Sequence, residues 1–123
     1  MVRETRTNTP LQSLNLLNDI TFVEAARVLA ERVLKGKSAT DDERLTLAFR
    51  LVLARKPKAA ELKVLRNALA HHRAVYAADG KKALKLVQVG EAPRDEKLDP
   101  VEIAALANVV SVIFNLDEAL NKE

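Results

Sequence analysis

From Ile103 to Leu116 the chain reads IAALANVVSVIFNL, apolar around nearly its whole circumference as a helix and interrupted only by Asn108, Ser111 and Asn115. A helix at a surface keeps one wet face, whereas a helix apolar on every side must be enclosed by others. Asp99 and Pro100 precede this stretch, a capping residue followed by a proline suited to the first helical position. A helix is therefore predicted over 100–121, at the centre of a bundle. The other segments have to supply the walls.

They have the composition to do so. The chain is 123 residues long, and a single domain of that size buries roughly two-thirds of its unfolded surface. Its aromatic residues are Phe22, Phe49, Tyr76 and Phe114 alone, so the core must be Leu, Val and Ala, which favour helix. The expected fold class is all-α: a compact bundle of five to six helices with the C-terminal helix central, in a single domain over 1–123.

A short helix is predicted over 10–18, with Thr9 as cap, Pro10 in the first turn, and Leu11, Leu14 and Leu17 at helical spacing. The next, over 20–35, ends at Gly36. It sets Phe22, Ala25, Ala26, Leu29 and Val33 on one stripe and Glu24, Arg27, Glu31 and Lys35 on the opposite face. Thr40 and Glu43 form a capping-box pair that opens a helix over 41–55. That helix turns Leu45, Ala48, Phe49 and Val52 inward, with Leu47 and Leu51 broadening the stripe. After Pro57, a helix over 59–78 carries the narrow seam Leu62, Leu65, Leu69, His72 and Tyr76. Residues 81–87 add one or two turns, and VGEAPRDEKLD reads as a loop.

Several functional classes find no support. No run is long and apolar enough to span a membrane. No apolar segment follows Met1, so no signal peptide is expected, and Met1 set directly before VRETRTNTP reads as a start placed on a fragment of a longer chain. The chain contains no Cys, hence no thiol nucleophile and no zinc–thiolate site. The net charge of +3 is interspersed, with neither a basic tract nor an aromatic stacking platform, which argues against nucleic acid as a partner. His71 and His72 are adjacent, and neighbours on a helix point about 100° apart, so they cannot chelate as an i,i+4 pair could. The carboxylates Asp41, Asp42, Glu43, Asp99 and Glu102 gather at helix starts, where capping accounts for them. No metal, cofactor or catalytic residue is expected.

The polar residues that stand out are amides. Asn8, Gln12, Asn15 and Asn18 punctuate the first predicted helix, and Asn108, Ser111 and Asn115 punctuate the last. Three readings are open: a buried network in which the stripes bond each other, two solvated faces, or a ligand site. The network is preferred, because an amide offers two donors and an acceptor to its surroundings. Asp117 lies near a helix C-terminus, where negative charge is unfavourable, and would take a cationic partner.

RTNTPLQSLNLLND, AFRLVLARKPKAAEL, VGEAP and the closing VSVIFNLDEALNKE, in this order, resemble a known family. It is the C-terminal part of the planctomycete-specific domain of unknown function that follows a cytochrome-c-like region in large secreted bacterial proteins. The resemblance runs from about Arg3 to Glu123. It implies an exported multidomain parent whose haem is bound elsewhere, and other domains of that parent as partners. It implies no assigned reaction. The family commonly has Thr or Ser where Lys58 stands, so the start of the helix after Pro57 lacks its usual cap. The function expected is a non-catalytic packing or docking module; the alternative is part of an enzyme site completed by a missing N-terminal region.

Overall fold

The structure is a computed structural model that describes residues 20–90 and 92–121, the last five of these as backbone alone. The predicted helix over 10–18 lies outside the described residues. Five helices are described: α1 (Ile20–Lys35), α2 (Asp41–Leu53), α3 (Ala59–Ala78), α4 (Gly80–Val87) and α5 (Pro100–Asn121). There is no strand among the described residues.

α5 is the hub, and each of the other four helices packs on it. Ile103, Ala104, Ala105, Leu106, Ala107, Val109, Val110, Ser111 and Ile113 are all buried, and no residue from Val101 to Leu116 is fully exposed. Around this axis the core takes Ala26, Ala30 and Val33 from α1, Leu45, Ala48 and Phe49 from α2, and Leu65 and Leu69 from α3. A second cluster joins Tyr76 of α3 and Ala83 of α4 to Ala104. The small residues on α5 let helix backbones approach on several sides at once, while Leu and Val from the walls fill the remaining volume.

The ends of the helices follow from local chemistry. Thr40 Oγ1 accepts from Glu43 N at 3.2 Å, and Glu43 Oε1 accepts in return from Thr40 N at 3.2 Å and from Ala39 N at 2.7 Å. α2 stops at Leu53 rather than at 55, because Ala54 turns left-handed (φ 60) and donates its N–H to Arg50 O. That turn frees Arg55 to lie over the Phe49 ring, 4.9 Å from its centroid, and to grip Glu61 with two bonds of 2.9 Å. The missing side-chain cap at Lys58 does not delay α3. Glu61 Oε1 accepts the Lys58 N–H at 2.8 Å, which supplies the return half of a capping box and fixes the start at Ala59. Asp79 separates α3 from α4 and caps the latter through Lys82 N, and Asp99 accepts from Val101 N at 2.9 Å to open α5.

Two parts of the expected patterning are corrected. Ala25 and Leu51 are exposed rather than inward. More consequentially, Arg27 and Glu31 do not face solvent: their relative exposures are 0% and 4%.

Candidate functional site

The burial of Arg27 and Glu31 is caused by the segment between α4 and α5. After Val87 the chain turns back across α1, with Gly90 at φ +87. A Cβ at Gly90 would overlap the Glu24 side chain, so glycine is required there both for its backbone angle and for the close approach. α1 then binds the crossing strap almost entirely through main-chain groups. Arg27 donates from Nε and Nη2 to Val89 O (3.3 and 3.1 Å) and from Nη2 to Ala92 O (2.6 Å). Its Nη1 donates to Glu31 Oε2 at 2.6 Å. Glu31 Oε1 accepts from Asp95 N at 3.1 Å, and Glu24 Oε2 from Ala92 N at 2.7 Å. Burying two charges is costly, and such a pair persists where the remaining donors and acceptors are also satisfied; here the strap satisfies them. At its outer edge Asp95 accepts from Lys97 N at 2.9 Å and lies 3.6 Å from Lys35 Nζ. Those two contacts, the Lys97 bond first, hold its carboxyl below the usual range.

A second polar cluster joins α2, α3 and α5. Arg73 grips Asp41 with two bonds (2.7 and 2.9 Å) and also donates to Glu102, at 2.6 Å from Nη2 and 3.0 Å from Nε. Arg66 grips Asp42 in the same fork-on-fork manner at 2.7 and 2.9 Å. The hydrogen bonds from Arg73 lower the Asp41 pKa, those from Arg66 lower that of Asp42, and Arg73 is raised in turn. A cleft of about 190 Å³ runs between these groups, lined by Asp41, Asp42, Leu45, Arg66, Leu69 and Arg73 among others. Asp41, Asp42 and Glu102 are thus interhelical partners as well as residues of helix first turns. Arg44 reaches Asp41 at 3.3 Å, and its buried Nε has no acceptor among the described residues.

The amides of α5 form the third group. Asn108 Nδ2 donates to Tyr76 Oη at 2.8 Å and to Ala104 O at 2.9 Å, and Ser111 Oγ donates to Ala107 O at 3.2 Å. Both residues line a cavity of about 80 Å³ with Val23, Ala26, Leu86 and Ala107. Asn115 lies two turns further on, about 10.5 Å along the axis; its Oδ1 is buried and accepts no hydrogen bond from the described residues. Asn108 and Asn115 share a helix face without touching a common group. Asn8, Gln12, Asn15 and Asn18 lie outside the described residues, as does the side chain of Asp117. His72 is half-buried, its ring 5.1 Å from that of His71 and 6.5 Å from that of Tyr76. Burial first, and His71 second, lower its pKa. Among the described residues no group of three or more His, Cys, Asp or Glu is placed to hold a metal.

Sequence reasoning missed the strap and its anchors Glu24, Arg27 and Glu31. The local signal was Gly90, a turn residue within the loop; Arg27 and Glu31 themselves have the spacing of an exposed i,i+4 pair.

The fold and its polar clusters define an all-α bundle organised around an apolar hub helix, with its described ionic groups largely engaged in mutual pairing. The chain belongs to the family PSD1, described as a protein of unknown function (DUF1553), whose model matches residues 1–69. The match takes in RTNTPLQSLNLLND and AFRLVLARKPKAAEL and ends before the strap and α5. No curated protein and no solved structure is detectably similar to the chain. No helix among the described residues is long and apolar enough to cross a membrane.

Proposed function

We propose that this chain is a non-catalytic helical packing or docking module of a larger extracytoplasmic multidomain protein, of the secreted, cytochrome-c-associated type that its motifs resemble. The observation that supports this reading is the use made of the polar groups. Arg27, Glu31, Arg73, Asp41, Glu102 and Asn108 are bonded to one another, to Tyr76 or to backbone. A catalytic centre leaves donors and acceptors directed at a vacant position where a reacting atom can sit, and these six residues direct theirs at partners within the fold. The partners of such a module are the other domains of its parent.

The test is titration of the chain against the remainder of its parent, produced separately. The reading predicts a one-to-one complex, and absence of a complex contradicts it. A second reading, part of an enzyme site completed by residues upstream, is favoured by one observation: the buried Asn115 Oδ1 without a described donor. It predicts instead that joining the two pieces restores a turnover that neither has alone.

A further inference from the structure

We propose that the outward face of α3 is a self-recognition surface, through which two copies of the chain pair with their α3 helices antiparallel. This goes beyond the module reading and does not depend on it. α3 packs into the bundle through Leu62, Leu65, Leu69 and Tyr76, while Ala60, Val64, Asn67, His71, Ala74 and Ala78 all stand exposed. At about 100° per residue the second set is centred about 170° from the first, on the opposite side of the helix. A wall helix ordinarily carries its charged residues there. Among those exposed residues and their flanking neighbours Lys63 and Val75, Lys63 is the single fixed charge, and Val64 is 55% exposed.

The spacing selects the occupant. The exposed positions are separated by 4, 3, 4, 3 and 4 residues, the a/d rhythm of a coiled-coil seam, and that series is the same in either direction. An antiparallel second copy therefore meets it in register about Leu69. Ala60 lies against the copy's Ala78, Val64 against its Ala74 and Asn67 against its His71, each pair occurring twice, as a two-fold interface requires. The alanines admit a close approach and leave room for Val64, and the Asn67 amide suits an imidazole nitrogen. Charge agrees with this direction. Exposed Lys58 stands at the N-cap of α3, where a cation is unfavourable, whereas the last turn has no basic residue and is followed by exposed Asp79. Antiparallel pairing sets each Lys58 beside the other copy's Asp79 and helix C-terminus. α3 is 20 residues long, about 30 Å, so the contact is of the small, reversible kind.

Sedimentation equilibrium of the full chain tests it. A monomer–dimer exchange should appear, and Ala74→Lys, an exposed change set against Val64 and beside Lys63 of the other copy, should weaken it at least about tenfold with the urea midpoint of the monomer unchanged. A chain that stays monomeric up to millimolar concentration overturns the proposal and leaves the seam to a helix of a different protein. A dimer indifferent to Ala74→Lys overturns it too. The chain contains no Cys, so single thiols report the register. Val64→Cys and Ala74→Cys should crosslink when the two variants are mixed and mildly oxidised, because those positions face each other within disulfide reach. Neither variant should crosslink with itself, its two thiols lying about 15 Å apart along the axis. No crosslink in the mixture, or equal crosslinking of each variant with itself, contradicts the antiparallel seam.

Discussion

Arg27 and Glu31, one turn apart on α1 and 2.6 Å apart at their charged ends, lie under a strap that supplies Val89 O, Ala92 O and Asp95 N as their remaining partners. The pair and the strap depend on each other. Without the strap the two charges would be an ordinary surface i,i+4 pair, worth about 0.3–0.5 kcal/mol. With it, neither can be removed alone. Arg27→Ala leaves Glu31 buried and unpaired and orphans two carbonyls, so a loss of about 3–5 kcal/mol is expected in urea unfolding. The double variant Arg27→Met, Glu31→Leu should lose less than the sum of its single changes, and strict additivity would show that the pair is not coupled.

Gly90 carries the crossing. Gly90→Ala meets both a positive φ and the Glu24 side chain, and should destabilise by about 1–3 kcal/mol. In a Glu24→Ala background the overlap disappears and only the backbone penalty is left. The cost of Gly90→Ala should therefore be smaller there, as read from thermal unfolding of the four proteins.

Asn108 links the hub helix to α3 through Tyr76. Tyr76→Phe removes the hydroxyl but leaves Ala104 O as an acceptor for the amide. The expected loss is about 1 kcal/mol, with the Asn108→Ala, Tyr76→Phe pair sub-additive in a double-mutant cycle.

Acid should loosen the α2–α3 corner before the strap-independent core. Arg55 and the Lys58 N–H hold the Glu61 carboxyl down at about 2, against an ordinary 4.5. Asp41 and Asp42 are lowered by Arg73 and Arg66. A folded-state pKa below the unfolded one contributes stability that is complete above the unfolded value and is lost as pH falls toward the folded value. The urea midpoint should therefore drop between pH 4.5 and about 2, and Glu61→Gln should flatten that drop. His72 has the opposite charge type. Its lowered pKa favours the neutral ring in the fold, so it carries no penalty above the ordinary 6.5 and costs stability as pH falls from there toward the lowered folded value. His72→Phe should remove the slope on that side.

The hub was legible because IAALANVVSVIFNL carries no wet face, and a pattern that strong admits one placement. The ends of α1, α3 and α5 were legible for a similar reason: Gly36, Pro57 and Asp99–Pro100 act locally. The strap was not. Arg27 and Glu31 have the spacing of a surface pair, and only the path of a loop some 60 residues later, a tertiary event, decides that they are covered. Leu51 erred in the other direction: a leucine beside a stripe reads as core until neighbouring helices leave it uncovered. Of the amides singled out, Asn108 bonds inside the bundle with Tyr76, a partner the spacing of α5 alone could not specify.

The central claim is that α5 is enclosed and that the bundle opens only as a whole. Native-state hydrogen exchange tests it most directly. The backbone amides from Ile103 to Ile113 should exchange only through global unfolding, with an opening free energy equal to that from urea denaturation. Exchange of those amides within minutes, at a free energy well below the global value, would contradict it.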